Sequence, residues 1–277
     1  MKALALLPLP VLYLFSDLIA PVMQYVVKYR RKVVRQNLVE SFPEKTLKDI
    51  KVIERKFYQY LCDQIVETLK LVHISDKEMS RRAKVINPEI VNEQLSKGRN
   101  VVLLLGHYGN WEWVQEISRN FIDESFMASI YHTLNNKTWN EIFIRIRSRW
   151  GAHIIEMKKA PRALLSRSNM PWVCGFIADQ GTKNLHQDNK IFFLNHDTWF
   201  IYGPEEIGNK TGAEFFYLEM SRRKRGYYEI RFKPLKPQNM SLPYPHTREF
   251  WIELEKTIEA EPAYWLWSHR RWKFHPH

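Results

Sequence analysis

The sequence predicts an α/β protein, a mostly parallel sheet covered by helices and preceded by an apolar helical segment at the N-terminus. Three observations predict it. Six apolar runs have strand length: "NVVLLL", "FMASIY", "AHIIEM", "PWVCGFIA", "AEFFYLEM" and "YYEIRF". Most are separated by pieces long enough for a helix, such as residues 137 to 150 and 203 to 211, the alternation of a parallel sheet with crossover helices. The chain has 277 residues, 45% of them hydrophobic, enough to bury the core of one large domain or two small ones.

The elements follow in order. From Ala3 to Val27, "ALALLPLPVLYLFSDLIAPVMQYVV", Asp17 is the only charge, and Lys28, Arg30, Arg31, Lys32 and Arg35 follow directly. A signal peptide carries its positive charge ahead of the apolar core, and only Lys2 stands there. The stretch is long enough to span a bilayer. Pro8, Pro10, Pro21 and Asp17 instead favour a broken, partly buried interfacial hairpin. In either case the basic cluster would meet lipid headgroups, and in a spanning arrangement it would keep the rest of the chain cytoplasmic. Residues 44 to 72 carry Ile50, Ile53, Phe57, Leu61, Ile65 and Leu69 on one helical stripe. "NPEIVNEQLSKG" reads as a short helix with Asn87 as N-cap, Pro88 in the first turn and Gly98 past the end. The last two apolar runs, split by "SRRKRGY", read as a hairpin, and a proline-rich crossing leads to a final helix over 246 to 260. The organisation is an apolar segment 1–30, a helical part 31–98 and an α/β core 99–277.

The charge narrows the partners. Forty-two Lys and Arg against 30 Asp and Glu leave +12, a field that attracts an anionic bilayer, phosphorylated lipids, an acidic carrier protein or nucleic acid. Sheet aromatics of the usual RNA-binding kind are absent, which argues against nucleic acid. Cys62 and Cys174 are the only cysteines and form no metal or redox spacing.

The chemistry-bearing stretch is "VVLLLGHYGNWEW", residues 101 to 113. His107 and Glu112 are five apart, which on a continuous helix puts them about 140° from each other. They meet only across a turn, and Gly109-Asn110 supplies one. In this reading the strand ends at Leu105, Gly106 bends the backbone, and Asn110 caps a helix with Glu112 in its first turn. The loop then lies at the carboxyl end of a strand, where α/β sheets place their sites. A carboxylate there could fix the tautomer of His107 and stabilise its imidazolium, making it a general base; the alternative is a polar structural turn. The second His-x4-Glu match, His73 to Glu78, sits where Ser75 reads as an N-cap with Glu78 three residues on, a structural role.

"GHYGNWEW" resembles the His-x4-Asp/Glu block of the lysophospholipid acyltransferase superfamily, and more specifically the bacterial lipid A biosynthesis (secondary, or late) acyltransferases. Further segments agree in order. "YHTLNNKTWNEIFIRIRSRWG" is similar to that family's "YRP.NNP" strand and the arginine-bearing helix after it, and "WVCGFIADQGTK" to its "ADQ" or "PDHD" segment. "TWFIYGPEEIGNKTGAEF" resembles its Gly-Pro block and "PAYWLWSHRRWK" its "QYLWLHRRWK" signature. The similarity runs over nearly the whole chain, including "SFPEKT" and the apolar N-terminus.

The resemblance implies a glycerolphosphate-acyltransferase-like fold and transfer of a fatty acyl group from a thioester, on acyl carrier protein or coenzyme A, to a hydroxyl of a lipid A precursor. Another membrane amino- or phospholipid is the alternative acceptor. It implies an enzyme at the cytoplasmic face of the bacterial inner membrane that needs no cofactor or metal. His107 would deprotonate the acceptor, and Glu112 would orient and charge-balance it. By position in the matched blocks, Arg145 is the first candidate donor to the oxyanion and Arg147 the second, and Asn110, Asp179, Gly203 and Glu205 would shape the site. Two departures bear on the acceptor: "ADQG" is not "PDHD", and Tyr131-His132 stands for Tyr-Arg.

Other features have plainer readings. His132, His153, His186 and His196 show no metal spacing and read as loop or cap residues, while His269, Arg270 and Arg271 read as structural or headgroup-facing. Trp265, Trp267 and Trp272 are candidates for a membrane interface. "GNWE" is similar to the metal loop of two-metal phosphoesterases, but the histidine of that loop is missing. A non-enzymatic membrane binder would explain the charge and leave His107 and Glu112 unexplained.

Overall fold

A computed structural model describes residues 5–123, 125–131, 137–167 and 169–272; His132 and the "TLNN" stretch after it lie outside them. The first long element is one rod, not a hairpin. Helix α1, Leu9–Pro21, runs directly into a π-helical turn, Val22–Val26. Its prolines explain the difference. Pro8 and Pro10 stand at the N-cap and first turn, where no helical N–H is lost, and the missing donor of Pro21 is absorbed by the widened turn. The stretch Leu9–Val26 is long and apolar enough to cross a membrane, with mean hydropathy 1.4.

Helix α2, Arg31–Ser41, leads to α3, Leu47–Lys70, whose start is fixed by a reciprocal capping box between Thr46 and Asp49. Helix α4, Asp76–Arg82, starts at Ser75, whose hydroxyl accepts the Glu78 N–H at 3.2 Å. The His73–Glu78 spacing thus marks a cap at Ser75, as read, but the Glu78 side chain pairs with Arg82 at 2.9 Å rather than closing a capping box. Strand β1, Ala83–Val85, follows, then α5, Glu89–Ser96. Here Pro88, not Asn87, is the N-cap residue. Asn87 is turned to the sheet, where its side-chain amide donates to the Phe232 carbonyl at 2.9 Å and its oxygen accepts the Phe232 N–H at 2.9 Å. Gly98 ends the helix with φ +73°, as expected.

All six apolar runs are strands of one sheet: β2 Val101–Leu105, β3 Phe126–Tyr131, β4 His153–Glu156, β5 Trp172–Ile177, β8 Glu214–Lys224 and β9 Tyr227–Pro234. With β1 at the edge the order is β1-β9-β8-β2-β5-β3-β4, parallel throughout except for the β8–β9 hairpin. Strands β6, Lys190–Phe193, and β7, His196–Trp199, form a separate small hairpin. The crossovers include α6, Lys137–Arg147, α7, Ala160–Leu165, and α8, Gly203–Lys210, and α9, Pro245–Ala260, closes the far side. Strand β2 is buried over its whole length. Its period of two sends Val102 and Leu104 into the core under α3 and α9, and Val101, Leu103 and Leu105 into the core under α4 and α5. Each such side chain contributes about 1.5–3 kcal/mol of burial. The sheet is covered on both faces, as a parallel sheet must be.

The pairing of β2 with β5 positions the site. Leu105 lies opposite Ile177, and the Ala178 N–H donates to the Leu105 carbonyl at 2.8 Å. The loop residues one step further, His107 and Asp179, therefore leave the sheet side by side.

Candidate active site

The chain can turn at the end of β2 because of two glycines. A β-carbon on Gly106 would come within 2.8 Å of Leu254 Cδ1 and 3.3 Å of an Asp179 oxygen. Only glycine passes between α9 and that carboxylate. Gly109 has φ +59°, and a β-carbon there would come within 2.8 Å of Met220, so both its conformation and its neighbour exclude a side chain. The turn is held from outside. The Gly109 carbonyl accepts from Tyr60 Oη at 2.6 Å and from Gln64 Nε2, and its N–H donates to the Tyr264 carbonyl at 3.0 Å.

His107 Nδ1 lies 2.6 Å from Asp179 Oδ1, and the His107 backbone N–H donates to Asp179 Oδ2 at 2.9 Å. Asp179 is fully buried, and its Oδ2 also accepts from Trp265 Nε1 at 2.8 Å and faces Arg271 Nη2 at 3.4 Å. Burial pushes this carboxyl up. The charges of His107 and Arg271, with the His107 hydrogen bonds, outweigh burial and hold it well below the usual carboxylate range. An ionised Asp179 makes Nδ1 the protonated ring nitrogen and leaves Nε2 with its lone pair. The ring edge meets Trp111, centroids 5.2 Å apart, and 13% of the His107 side chain is exposed.

The group on Nδ1 is thus Asp179, where the spacing points to Glu112. The chain does not form an α-helix after Asn110. It makes a turn at Trp111–Glu112 and then a 3₁₀ segment, Trp113–Asn120, and this winding carries Glu112 toward α6. There Arg147 grips it with both nitrogens, Nη2 to Oε1 at 2.6 Å and Nε to Oε2 at 3.0 Å, the bidentate geometry that a guanidinium and a carboxylate favour. The pair borders a cavity of about 30 Å³ whose other walls include Leu105, Trp111, Met127, Ile130 and Ile177. Arg145, the first candidate donor, is exposed. Two residues along a helix is a rotation of about 200°, so α6 turns only one of the two arginines inward.

Asn110 is buried and caps the new segment, accepting the Trp113 N–H at 3.2 Å and donating to Glu67 Oε2 at 2.6 Å. Gly203 opens α8 and is exposed. Glu205, fully buried, accepts the backbone N–H groups of His246 and Thr247 at 3.1 and 2.7 Å, so it caps α9 rather than meeting the His107 loop.

The C-terminal "WLWSHRRW" contributes what the sequence reading assigns to the membrane. Trp265 and Trp267 are buried, 1% and 0% exposed, and Arg271 lies under them at 6%. Its guanidinium sits 4.7 Å from the Trp265 ring centroid, and burial brings it down to about 10 against the pull of Asp179, so it stays cationic at neutral pH. The loop-or-cap reading holds for His186, which caps a short turn with Asn189. His153 and His196 are instead the first residues of β4 and β7, and their rings stack on Phe126 and Trp272.

Comparison with known proteins assigns the chain as a whole. The family model described as bacterial lipid A biosynthesis acyltransferase matches residues 1–274. Among curated relatives, the chain is 24% identical to the lipid A biosynthesis lauroyltransferase of Escherichia coli (strain K12), over 98% of this chain and 88% of that protein.

Proposed function

Because the chain belongs to the bacterial lipid A biosynthesis acyltransferase family, and so is an acyltransferase, we propose that it moves a fatty acyl group from an acyl thioester to a hydroxyl of a lipid A precursor by direct transfer. The thioester is carried by acyl carrier protein or coenzyme A. His107 Nε2 takes the proton of the acceptor hydroxyl, and the oxygen attacks the thioester carbonyl. The tetrahedral oxyanion is met by Arg147, which Glu112 holds in place. As the carbon–sulfur bond breaks, the imidazolium returns its proton to the leaving thiolate. Asp179 fixes the tautomer and balances the imidazolium charge.

The observation that carries this reading is the 2.6 Å contact between His107 Nδ1 and the buried Asp179 carboxylate, on a loop at the carboxyl ends of β2 and β5. The outward apolar face of α1 and the surplus of cations support work at a bilayer, on the cytoplasmic face of the inner membrane. The test is single-turnover transfer by His107→Ala, with His73→Ala as the control of equal spacing. His107→Ala is expected to lose roughly 10² to 10⁴ in rate, and His73→Ala to stay within about twofold. A folded His107→Ala protein with near-wild-type turnover ends the reading.

A further inference from the structure

Glu67 lies in the last turn of α3, fully buried, and no step above uses it. Three side chains converge on its carboxylate: Tyr13 Oη donates to Oε1 at 2.6 Å, Asn110 Nδ2 donates to Oε2 at 2.6 Å, and Tyr228 Oη donates to Oε2 at 2.8 Å. Its backbone carbonyl takes a fourth bond, from Trp113 Nε1 at 3.2 Å. These partners are far apart in sequence and in role. Tyr13 belongs to the N-terminal helix. Asn110 and Trp113 belong to the turn that carries His107 and Glu112.

A buried carboxylate with several lone-pair sites holds its donors in fixed directions, and each charge-assisted bond narrows the positions the others can take. The side-chain oxygen of Asn110 is committed to the Trp113 N–H, so the Asn110 amide cannot rotate without breaking the cap of the turn. The path from the N-terminal helix to the turn therefore runs through one side chain with no slack. We propose that Tyr13 and Glu67 are positioning residues for acyl transfer: through them, the seat of the N-terminal helix on α3 sets the turn that brings His107 and Glu112 to their partners. This rests on the reading of His107 above. It adds that the apolar segment helps set the catalytic geometry besides holding the protein at a surface.

The molecule contains its own control. Ser16, on the same helix, is also fully buried and donates to a buried carboxylate, Asp63 Oδ1, at 2.7 Å. Asp63 is otherwise engaged with Gln59, Arg222 and Arg225 and does not touch the turn. Tyr13→Phe and Ser16→Ala each remove one hydroxyl donor from the same interface. The experiment measures kcat and KM of the full chain with detergent-dispersed lipid acceptor, well below the thermal midpoint of each variant. Tyr13→Phe is expected to lower kcat on the order of tenfold with KM little changed, as a misplaced catalytic loop does. Ser16→Ala is expected to keep kcat within twofold, although both lower the midpoint. The Tyr13→Phe/Glu67→Gln double variant should be no slower than Glu67→Gln alone, since one acts through the other. Wild-type kcat for Tyr13→Phe, equal kcat losses for Tyr13→Phe and Ser16→Ala, or additive losses in the double variant would each overturn the proposal. If Glu67→Gln does not fold, the Tyr13 and Ser16 pair decides alone. His107→Ala, run alongside, keeps the two questions apart. Its activity tests the base, and the Tyr13 and Ser16 comparison tests the positioning.

Discussion

Asp179 separates the roles of two carboxylates that the spacing of the sequence merges. If it fixes the tautomer of His107, Asp179→Asn is expected to lower kcat by roughly 10³ to 10⁴ without unfolding the protein. The amide keeps the shape but can offer Nδ1 a donor, which puts the proton on the wrong nitrogen; the corresponding change in serine proteases costs about 10⁴. A loss below tenfold in steady-state turnover would return the orienting role to Glu112. The sequence made His107 and Glu112 legible because both sit on one short turn, with a glycine before His107 and another between the two residues that the backbone needs. It could not make the His107–Asp179 pair legible from spacing, because that pair exists only once β5 is known to lie beside β2. Block position alone ranks Arg145 ahead of Arg147, and it fails for a related reason. Which of the two faces the site depends on how α6 is rotated, and the bidentate contact with Glu112 is a fact of packing. Arg271 looked like a headgroup residue because arginine is rarely buried, and only the Asp179 beneath it explains the exception.

Among the elements, the N-terminal helix departs most from its sequence reading. Its inward face carries Tyr13, Ser16 and Gln24, each donating to a carboxylate of α3, while Leu14, Leu18 and Val26 point outward at 63%, 69% and 74% exposure. Leu9, Leu12 and Ala20 are buried beside them, so the helix is apolar on its outward face as well as on its inner one, unlike a surface helix of a water-soluble protein. This suits a helix that lies along a bilayer with its inner side fastened to the protein. The basic cluster behind it is partly spoken for. Arg31 and Arg35 pair with the buried Glu54, while Lys28, Arg30 and Lys32 are exposed, Arg30 donating to the Ser268 carbonyl. Replacing Leu14, Leu18 and Val26 together by Ser is therefore expected to lower partitioning into anionic vesicles at least tenfold, since each apolar side chain withdrawn from lipid loses about 1.5–3 kcal/mol. Because these side chains lie mostly outside the core, folding stability should move by only about 0.5 kcal/mol per site. Unchanged vesicle binding in a flotation assay would show that this face does not meet lipid. Six strands were readable as apolar runs. The three residues of β1 and the four-residue strands of the β6–β7 hairpin were not, since a short edge or two-stranded ribbon needs no hydrophobic period to form.

Taken whole, the molecule spends many of its cations internally, with Arg147, Arg222, Arg225 and Arg271 each paired to a buried or nearly buried carboxylate. These four arginines meet three carboxylates, Asp63 serving two of them, so most of the surplus of +12 is carried by the remaining, mostly exposed, basic groups and acts at long range as the composition suggested. The buried charges make the fold acid-sensitive, and His269 sets one edge. Burial first, and then Arg271, bring its imidazole from the ordinary 6.5 down to about 4. The unfolded chain binds this proton more readily than the folded one, so the contribution is complete above pH 6.5 and drains away as pH falls toward 4. The thermal midpoint should fall over that window, and His269→Gln should show a shallower slope there while matching wild type near pH 8. Identical slopes would assign the acid sensitivity elsewhere. The packing of Trp265 and Arg271 on Asp179 also orders events during synthesis. A ribosome that has released β9 has delivered every strand of the large sheet, the base and its carboxylate, but neither the indole nor the guanidinium that holds the carboxylate. So although His107 and Asp179 emerge with the sheet, their pairing is secured only when the C-terminal segment folds back onto it.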